Sequence, residues 1–232
     1  MSSSFKKSGT QSDDDNYAPV ATNWSTDTAA ATRAGEYVDD GDPFPLAAGG
    51  SGSLSNGSSS PVASIDTLAN WLVSGFWTNY AGTVAHHWSS NTITYNLGNL
   101  NAAEQALAQS ALNAWHEVAN ITFVQTSGSA NINFNHNGTM VASTGGSWAG
   151  SSILSMTIDI SSDWVTSDGG ANDGKTGIDS YAYQTYIHEI GHALGLGHQG
   201  PYNGSATYAT DAIYANDTWQ YSVMSYFSEP NY

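Results

Sequence analysis

The sequence predicts one mixed α/β domain of the α+β kind over residues 61–232, preceded by a polar N-terminal segment of residues 1–60. Apolar residues recur at helical spacing in residues 101–119 and again in residues 187–194, while several segments between them alternate like strands. Helix, strands and helix in this order fit a twisted mixed sheet with a long backing helix and a second helix beside it.

The first elements are predicted from spacing. Residues 65–76 are typical of a short helix, and residues 92–97 alternate like a strand. Asn101 is a good N-cap for a helix that runs through Glu104 to residue 119. The apolar residues of this helix recur every three or four positions: Ala103, Leu107, Ala111, Ala114, Trp115 and Val118.

The later elements follow in the same way. Residues 121–124, 131–135 and 153–160 are predicted strands. Asp179 is expected to cap the helix that carries His188. The buried stripe of that helix is predicted to consist of Ile187, Ile190 and Leu194.

The composition limits the partners. Of 232 residues, 40% are hydrophobic and 10% are charged, and the formal net charge is −16. Such an acidic chain disfavours nucleic acid and anionic membrane surfaces as partners. No apolar stretch approaches the ~20 residues of a membrane helix, and residues 1–10 lack the apolar run of a signal peptide. This composition suits a soluble secreted protein.

Residues 188–198 read His-Glu-Ile-Gly-His-Ala-Leu-Gly-Leu-Gly-His, and their spacing predicts a metal centre. Residues four apart on an α-helix project from one face, so His188 and His192 can share one ion. On a continuing helix His198 would point away, and the chain must therefore turn back before it. We expect that turn at Gly195, because glycine accepts the left-handed conformation that often ends helices.

Three protein ligands leave a fourth position open, which distinguishes catalytic from structural zinc sites. The chain has no cysteine, which excludes the structural sites built from thiolates. Glu189 lies beside the first ligand and suits a general base that takes a proton from water. The alternative is a histidine-rich helix end that only packs or faces solvent, and the second glycine and third histidine of the motif argue against it.

A second segment, residues 222–226 with the sequence Ser-Val-Met-Ser-Tyr, follows the histidine motif. Together the two segments resemble the metzincin metallopeptidases, which carry a methionine turn beneath the zinc. Within that clan the chain is most similar to the serralysins. The likeness is dense over residues 178–229, weaker upstream at residues 65–68, 74–77, 92–95 and 114–123, and covers roughly residues 62–232 altogether.

The resemblance implies the metzincin fold, with a zinc cleft between an upper and a lower subdomain. The ligands of one zinc ion would be His188, His192 and His198. Glu189 would be the general base and then the proton donor, and Met224 would form an apolar floor under the imidazoles. Tyr226 would be a further, displaceable zinc ligand whose hydroxyl moves off to hydrogen-bond the oxyanion.

The function implied by the resemblance is that of a secreted zinc endopeptidase acting as a monomer on protein or peptide substrates. Serralysins leave bacteria without an N-terminal signal peptide, so an extracellular location is expected. Neither nucleic acid nor membrane insertion is expected. A non-catalytic zinc-binding or interaction module of a secreted protein stays open as the alternative, although the intact Glu189 favours the enzyme. By analogy, residues 147–151 are expected at the sheet edge where an extended peptide pairs.

The chain departs from the serralysin pattern at two places. Gln199 follows the third histidine, where serralysins usually have proline. Serralysins continue into glycine- and aspartate-rich calcium repeats, whereas Tyr232 follows soon after Tyr226, so the chain is either a fragment or a reduced form and calcium is not expected in it. Residues 168–174 hint at a calcium loop, but a polar surface turn is the better interpretation.

The N-terminal segment leaves two interpretations open. Residues 47–60 are almost wholly Gly, Ser and Ala, which predicts a flexible linker. The acidic segment of residues 1–60 is either a short inhibitory propeptide, which would fit the resemblance, or a tail with no inhibitory role. The remaining histidines lack ligand spacing and are expected to have no zinc or catalytic role: His86, His87, His116 and His136.

Overall fold

A six-stranded mixed sheet forms the frame of the domain. The computed structural model describes residues 35–38 and 60–228. In chain order the strands are β1 (Gly35–Val38), β2 (Thr92–Asn96), β3 (Thr122–Gln125), β4 (Ile132–Asn135), β5 (Ala142–Ala149) and β6 (Ser152–Ile160). They lie in the order β1-β5-β6-β4-β2-β3, with antiparallel pairing of β1 to β5 and of β5 to β6 and parallel pairing elsewhere. The predicted mixed α/β class is confirmed.

Five α-helices accompany the sheet in the described part of the chain. They are α1 (Ile65–Asn70), which continues as a π-helical stretch (Trp71–Tyr80), α2 (Ala102–Val118), α3 (Ser162–Ser167), α4 (Tyr181–Ala193) and α5 (Tyr208–Asp211). The helix predicted for residues 65–76 is confirmed and runs on to Tyr80, whereas the sequence patterns do not predict the short helices α3 and α5. Among residues 60–228, no helix is both long and apolar enough to cross a membrane.

Helix α2 begins as predicted after Asn101. The Asn101 side chain accepts hydrogen bonds from the first turn, and the Glu104 carboxylate accepts one from the Asn101 N–H, which completes a capping box. The predicted apolar face is wrong at both ends, because Ala103 is exposed and Val118 is 79% exposed. The buried face, which packs against α4, consists of Glu104, Leu107, Ala108, Ala111 and Leu112.

The buried Glu104 connects α2 to α3 and to the segment after β4. Its carboxylate accepts hydrogen bonds from the Ser162 hydroxyl at 2.6 Å, His136 Nδ1 at 2.7 Å and the Asn101 N–H at 2.9 Å. Burial alone would raise the pKa of Glu104, but these three hydrogen bonds outweigh it, and the pKa is lowered. His136 thus has a structural partner.

The core lies between one face of the sheet and helices α2 and α4. Its fully buried strand residues include Ile93, Ile132, Phe134, Ile158 and Ile160. The predicted stripe of α4 is right for Ile190 and wrong for Ile187 and Leu194, which are only half-buried. Helix α4 buries residues on several sides rather than along one stripe, because the sheet and α2 both pack against it.

Strand β5 is not predicted by the sequence patterns. Gly145 and Gly146 interrupt any alternation, and glycine is depleted in strands. Gly146 is required by packing, because a Cβ there would overlap the Met156 side chain and the Ser155 carbonyl oxygen. Residues 147–151, predicted as a peptide-binding edge, form the end of β5 and the turn to β6.

Most of the N-terminal segment lies outside the described residues, including its acidic runs and the linker predicted for residues 47–60, of which only Ser60 is described. Strand β1 is the described part of it. Its backbone pairs with β5, with Gly35 opposite Trp148 and Val38 opposite Gly145. The N-terminal segment therefore adds an edge strand to the sheet, which the sequence analysis does not predict.

Candidate metal centre

Helix α4 carries two of the predicted ligands, and two side chains fix its N-terminus. Ser180 Oγ accepts a hydrogen bond from the first turn at 3.0 Å, and Asp168 Oδ1 accepts one from the Ala182 N–H at 2.6 Å. The prediction that Asp179 caps this helix is wrong, because the N-cap is Ser180, one residue later. Asp168 is 2% exposed, so a surface turn at residues 168–174 is wrong for its first residue.

Four indole N–H groups hold α4 and the turn after it. Their acceptors are Ile187 O for Trp115 (2.9 Å), Ala193 O for Trp88 (2.8 Å), Gly195 O for Trp77 (2.9 Å) and Thr185 Oγ1 for Trp164 (3.2 Å). The carbonyls of Ala193 and Gly195 lie at the C-terminal end of the helix, where helical donors run out. Tryptophan side chains from other parts of the fold thus fix the helix end near the candidate ligands.

The chain turns at Gly195, as predicted. The φ angle of Gly195 is 100°, in the left-handed region, and the Leu196 N–H donates back to the Gly191 carbonyl at 3.0 Å. A Cβ on Gly195 would also overlap the His86 carbonyl oxygen. The turn returns His198 to the helix face that carries the other two histidines.

The three predicted histidines meet at one point. Nε2 of His192 lies 3.0 Å from Nε2 of His188 and 3.0 Å from Nε2 of His198. None of the three is more than 2% exposed. Within residues 35–38 and 60–228, no other cluster of His, Asp or Glu is arranged to hold a metal ion.

Each imidazole uses its other nitrogen on a backbone carbonyl. The Nδ1 partners are Val223 O for His188 (2.8 Å), Leu196 O for His192 (2.8 Å) and Tyr202 O for His198 (2.9 Å). Because a carbonyl oxygen only accepts, each Nδ1 carries the proton, and in the neutral imidazole Nε2 then presents its lone pair. Three such nitrogen donors, each oriented by a carbonyl, fit a zinc ion.

Glu189 is buried beside the triad. Its Oε2 accepts a hydrogen bond from the Thr144 hydroxyl at 2.6 Å, and the same hydroxyl lies 3.0 Å from the Glu189 carbonyl oxygen. Thr144 belongs to β5 and is fully buried. Sequence reasoning misses Thr144, because no pattern predicts its strand. The sheet therefore orients the carboxylate next to the first ligand.

The methionine turn packs against the ligand helix. Met224 is fully buried, and its sulfur would lie 2.5 Å from a Cβ placed on Gly191. The neighbouring carbonyl of Val223 accepts the Nδ1 hydrogen bond of His188. The glycine between the two helical ligands thus permits the close approach of the turn that orients one of them.

The π-helical stretch packs against the third histidine. A Cβ on Gly197 would overlap the ring of Phe76, which is fully buried. The Phe76 ring meets the His198 ring edge-on, with centroids 5.4 Å apart. Gln199 is also fully buried, and its side-chain amide donates to the Leu68 carbonyl at 3.2 Å. Gly197 and Gln199, on either side of His198, therefore contact the π-helical stretch and α1.

Tyr226 lies beside the triad. Its ring centroid is 4.4 Å from that of His198 and 6.3 Å from that of His188. Its hydroxyl accepts a hydrogen bond from the Gly204 N–H at 3.3 Å. The structure thus brings the fourth predicted metal ligand next to the third.

A buried carboxyl lies behind His198. Asp217 is fully buried, and the Tyr202 hydroxyl lies 3.0 Å from both of its oxygens. Burial raises the pKa of Asp217 to about 7, although hydrogen bonds from Ser225 and Tyr202 oppose the rise. Sequence reasoning misses both residues, because neither has a spacing that distinguishes it from the many aromatic and acidic residues of the chain.

His86 is buried close to this region without joining the triad. It is 5% exposed, and its ring lies between Trp77 and Trp148, with centroids 4.8 Å and 4.2 Å away. Neither ring nitrogen has a hydrogen-bond partner among the residues that the structure describes. Burial, with a contribution from His87, lowers the pKa of His86 to about 4. His86 is therefore neutral at pH 7 and packs as an aromatic side chain.

The model of the Matrixin family matches residues 87–210, more than half of the chain. The chain belongs to this family. The Matrixin match includes His188, His192 and His198 and most of the sheet, whereas Met224 and Tyr226 follow the matched residues. The resemblance to the catalytic domains of serralysin-type metzincins is confirmed by the relatives below.

A serralysin from Photorhabdus sp. (strain Az29) is 37% identical over 138 residues, which cover 56% of this chain and 28% of that protein. The metalloprotease AprA of Pseudomonas entomophila (strain L48) is 34% identical over 193 residues, or 74% of this chain and 39% of that protein. A solved structure of myroilysin aligns with 48% of this chain and 44% of its own at 23% identity, with a TM-score of 0.34. The Matrixin-family chain thus spans well under half of these curated relatives.

We expect Gly197→Ala to lower the free energy of unfolding by about 1–3 kcal/mol, because the new methyl group would overlap the rigid ring of Phe76. Urea unfolding at saturating zinc measures the change. Gly128→Ala is the control, since the nearest atom to its Cβ is 3.9 Å away. Equal stability of the two variants would contradict the packing described here.

The raised pKa of Asp217 predicts a pH dependence. From an ordinary value of 3.8, the folded pKa is raised to about 7. The protonated form therefore stabilises the fold at low pH, and this stabilisation is lost as the pH rises from about 4 to 7, by at most about 4 kcal/mol. Urea unfolding of wild type and Asp217→Asn, both in chelator, measures this loss. The free energy of unfolding of wild type should fall relative to that of Asp217→Asn as the pH rises. Asp179→Asn, which replaces an exposed carboxylate, is the control.

Proposed function

We propose that this chain is the catalytic domain of a secreted zinc-dependent endopeptidase. The observation that carries the proposal is the convergence of three imidazole Nε2 atoms, together with the buried carboxylate of Glu189, the residue after the first of these histidines. The imidazoles would hold the ion, and the carboxylate would supply a base at the first ligand. The named serralysins and metalloproteases among its relatives support the same activity.

The chain's own residues account for the proton transfers. A bound zinc ion would supply Lewis acidity, polarising the scissile carbonyl and making a water molecule more acidic. Glu189 takes a proton from the water, whose oxygen then bonds to the carbonyl carbon. As the carbon–nitrogen bond breaks, Glu189 gives that proton to the departing amine. The Thr144 hydroxyl holds the carboxylate in one orientation through both steps.

We propose Tyr226 as the displaceable ligand that stabilises the oxyanion. Its ring lies against His198, and its hydroxyl has a backbone partner in the Gly204 N–H. The Gly204 N–H could donate a hydrogen bond to the phenol oxygen whenever Tyr226 does not bind the metal. A phenol hydrogen bond to the developing negative oxygen would lower the barrier to peptide hydrolysis.

The substrate would bind as an extended strand along β5. The backbone of β5 from Gly145 to Trp148 pairs with an antiparallel strand, β1. Val38 lies opposite Gly145, the residue after Thr144, which orients Glu189. A peptide bound along this edge would therefore pass close to the base.

We further propose that residues 1–60 are an inhibitory propeptide. Strand β1 comes from this segment and occupies the edge that the substrate would use. Strand β5 pairs with β6 along one edge and with β1 along the other. Propeptide and substrate would therefore compete for the same edge and exclude each other. The N-terminal segment would thus keep the domain inactive until it is displaced or cut away.

Glu189→Gln should lower casein hydrolysis about 10²- to 10⁴-fold while zinc content stays near one ion per chain, because the base is lost and the imidazoles remain. Zinc analysis and a casein assay on the same preparations measure both. Glu117→Gln, an exposed residue at the end of α2, is the matched control. If Glu189→Gln and wild type behave alike, also when Tyr37→Pro is present in both, the chain is a non-catalytic zinc module.

Tyr37→Pro in the full chain should raise peptide hydrolysis severalfold, because proline removes a backbone donor from β1 and weakens its pairing with β5. Initial rates on a fluorogenic peptide, taken before any self-cleavage, measure the effect. Ser53→Pro, in the predicted linker, is the control. Unchanged rates in Tyr37→Pro would contradict an inhibitory role for this strand.

A further inference from the structure

His198 differs from the other two histidines of the triad because it does not lie on α4. Its Nδ1 donates to the Tyr202 carbonyl oxygen at 2.9 Å, and the Tyr202 ring stacks on its imidazole, with centroids 5.7 Å apart. Tyr202 thus accepts the Nδ1 hydrogen bond of this imidazole and also packs on its face. The position of Tyr202 therefore decides where the third Nε2 points.

Tyr202 is in turn fixed by a buried carboxyl group. Its hydroxyl donates to Asp217, with both carboxyl oxygens at 3.0 Å. Tyr202 is 3% exposed and Asp217 is fully buried. Burying a carboxyl group is unfavourable unless hydrogen bonds offset the loss of hydration. The hydrogen bonds to Tyr202 and Ser225 thus offset part of the cost of burying Asp217.

The same phenol also reaches the methionine turn. The Tyr202 hydroxyl oxygen accepts a hydrogen bond from the Tyr226 N–H at 3.4 Å, and the two rings pack with centroids 4.7 Å apart. Gly200 leaves room for this arrangement, since a Cβ there would overlap the Tyr202 ring and lie 3.0 Å from Asp217 Oδ2. The third histidine and Tyr226 are therefore joined through one side chain.

We propose that Tyr202 and Asp217 are positioning residues that hold His198 and Tyr226 as one unit. Asp217 acts through Tyr202, and Tyr202 acts through its carbonyl on His198 and through its ring and hydroxyl on Tyr226. The proposal rests on the proposed function, in which these two side chains bind the same ion. Loss of the Asp217 carboxylate would loosen both ligands together.

Asp217→Asn tests this with little change in shape. The new amide group can donate to the Tyr202 oxygen and compete there with the Tyr226 N–H. At pH 8 and on the full chain, we expect zinc affinity, measured by competition with a chelator, to fall about 10- to 100-fold. The visible absorption spectrum of the cobalt-substituted protein should also change, because it reports ligand geometry. Asp179→Asn, exposed and next to α4, should match wild type in both.

A purely structural role predicts another result. If Asp217→Asn melts at a lower temperature but keeps the zinc affinity and cobalt spectrum of wild type, the proposal is overturned. Tyr202→Phe, which removes only the hydroxyl, is the second variant, and wild-type zinc affinity in it would overturn the proposal equally. Glu189→Gln distinguishes the positioning role of Tyr202 and Asp217 from the proposed function, because this variant should lose hydrolysis and keep wild-type zinc affinity. Failure to cleave peptides both in wild type and in Tyr37→Pro would end the proposed function and leave the affinity comparison valid.

Discussion

The hydrogen bonds from three imidazole Nδ1 atoms to three backbone carbonyls are the constraint on which the rest of the site depends. The acceptors, Val223, Leu196 and Tyr202, come from three different stretches of chain, and each must reach its histidine in the interior. This requires a left-handed glycine after α4, a methionine turn beneath it and a loop folded back over His198. The irregular path of the chain after residue 193 thus follows from keeping three Nε2 atoms free to face one another.

The sheet contributes to the site through strand β5. Strand β5 supplies Thr144 to Glu189 and, starting one residue later, pairs with an added strand. The Glu189 carboxylate and the backbone that pairs with β1 are therefore fixed to the same short segment of β5, and their separation does not depend on loop conformation. An extended peptide held there would have its register set relative to Glu189 by main-chain hydrogen bonds.

Sequence patterns predict the parts of this fold whose signals are local. Asn101 and the apolar spacing after it specify α2, and the histidine spacing with Gly195 specifies the metal triad. Strand β5 is missed because Gly145 and Gly146 interrupt its pattern, and Gly146 is there for the close approach of Met156 and not for strand propensity. Thr144, Asp168 and Tyr202 act through partners distant in sequence, so no spacing marks them. Asp179 is a reasonable cap by residue type, but the chain enters the helix one residue later.

Of the seven tryptophans that the structure describes, four donate their indole N–H groups to α4 or to its terminal turn. An indole that is hydrogen-bonded in a dry interior emits light at shorter wavelength than one in water. The intrinsic fluorescence of the domain is therefore weighted towards one helix, the one that presents the imidazoles. Loosening of that helix, by loss of an ion or by denaturant, would be visible without any added label.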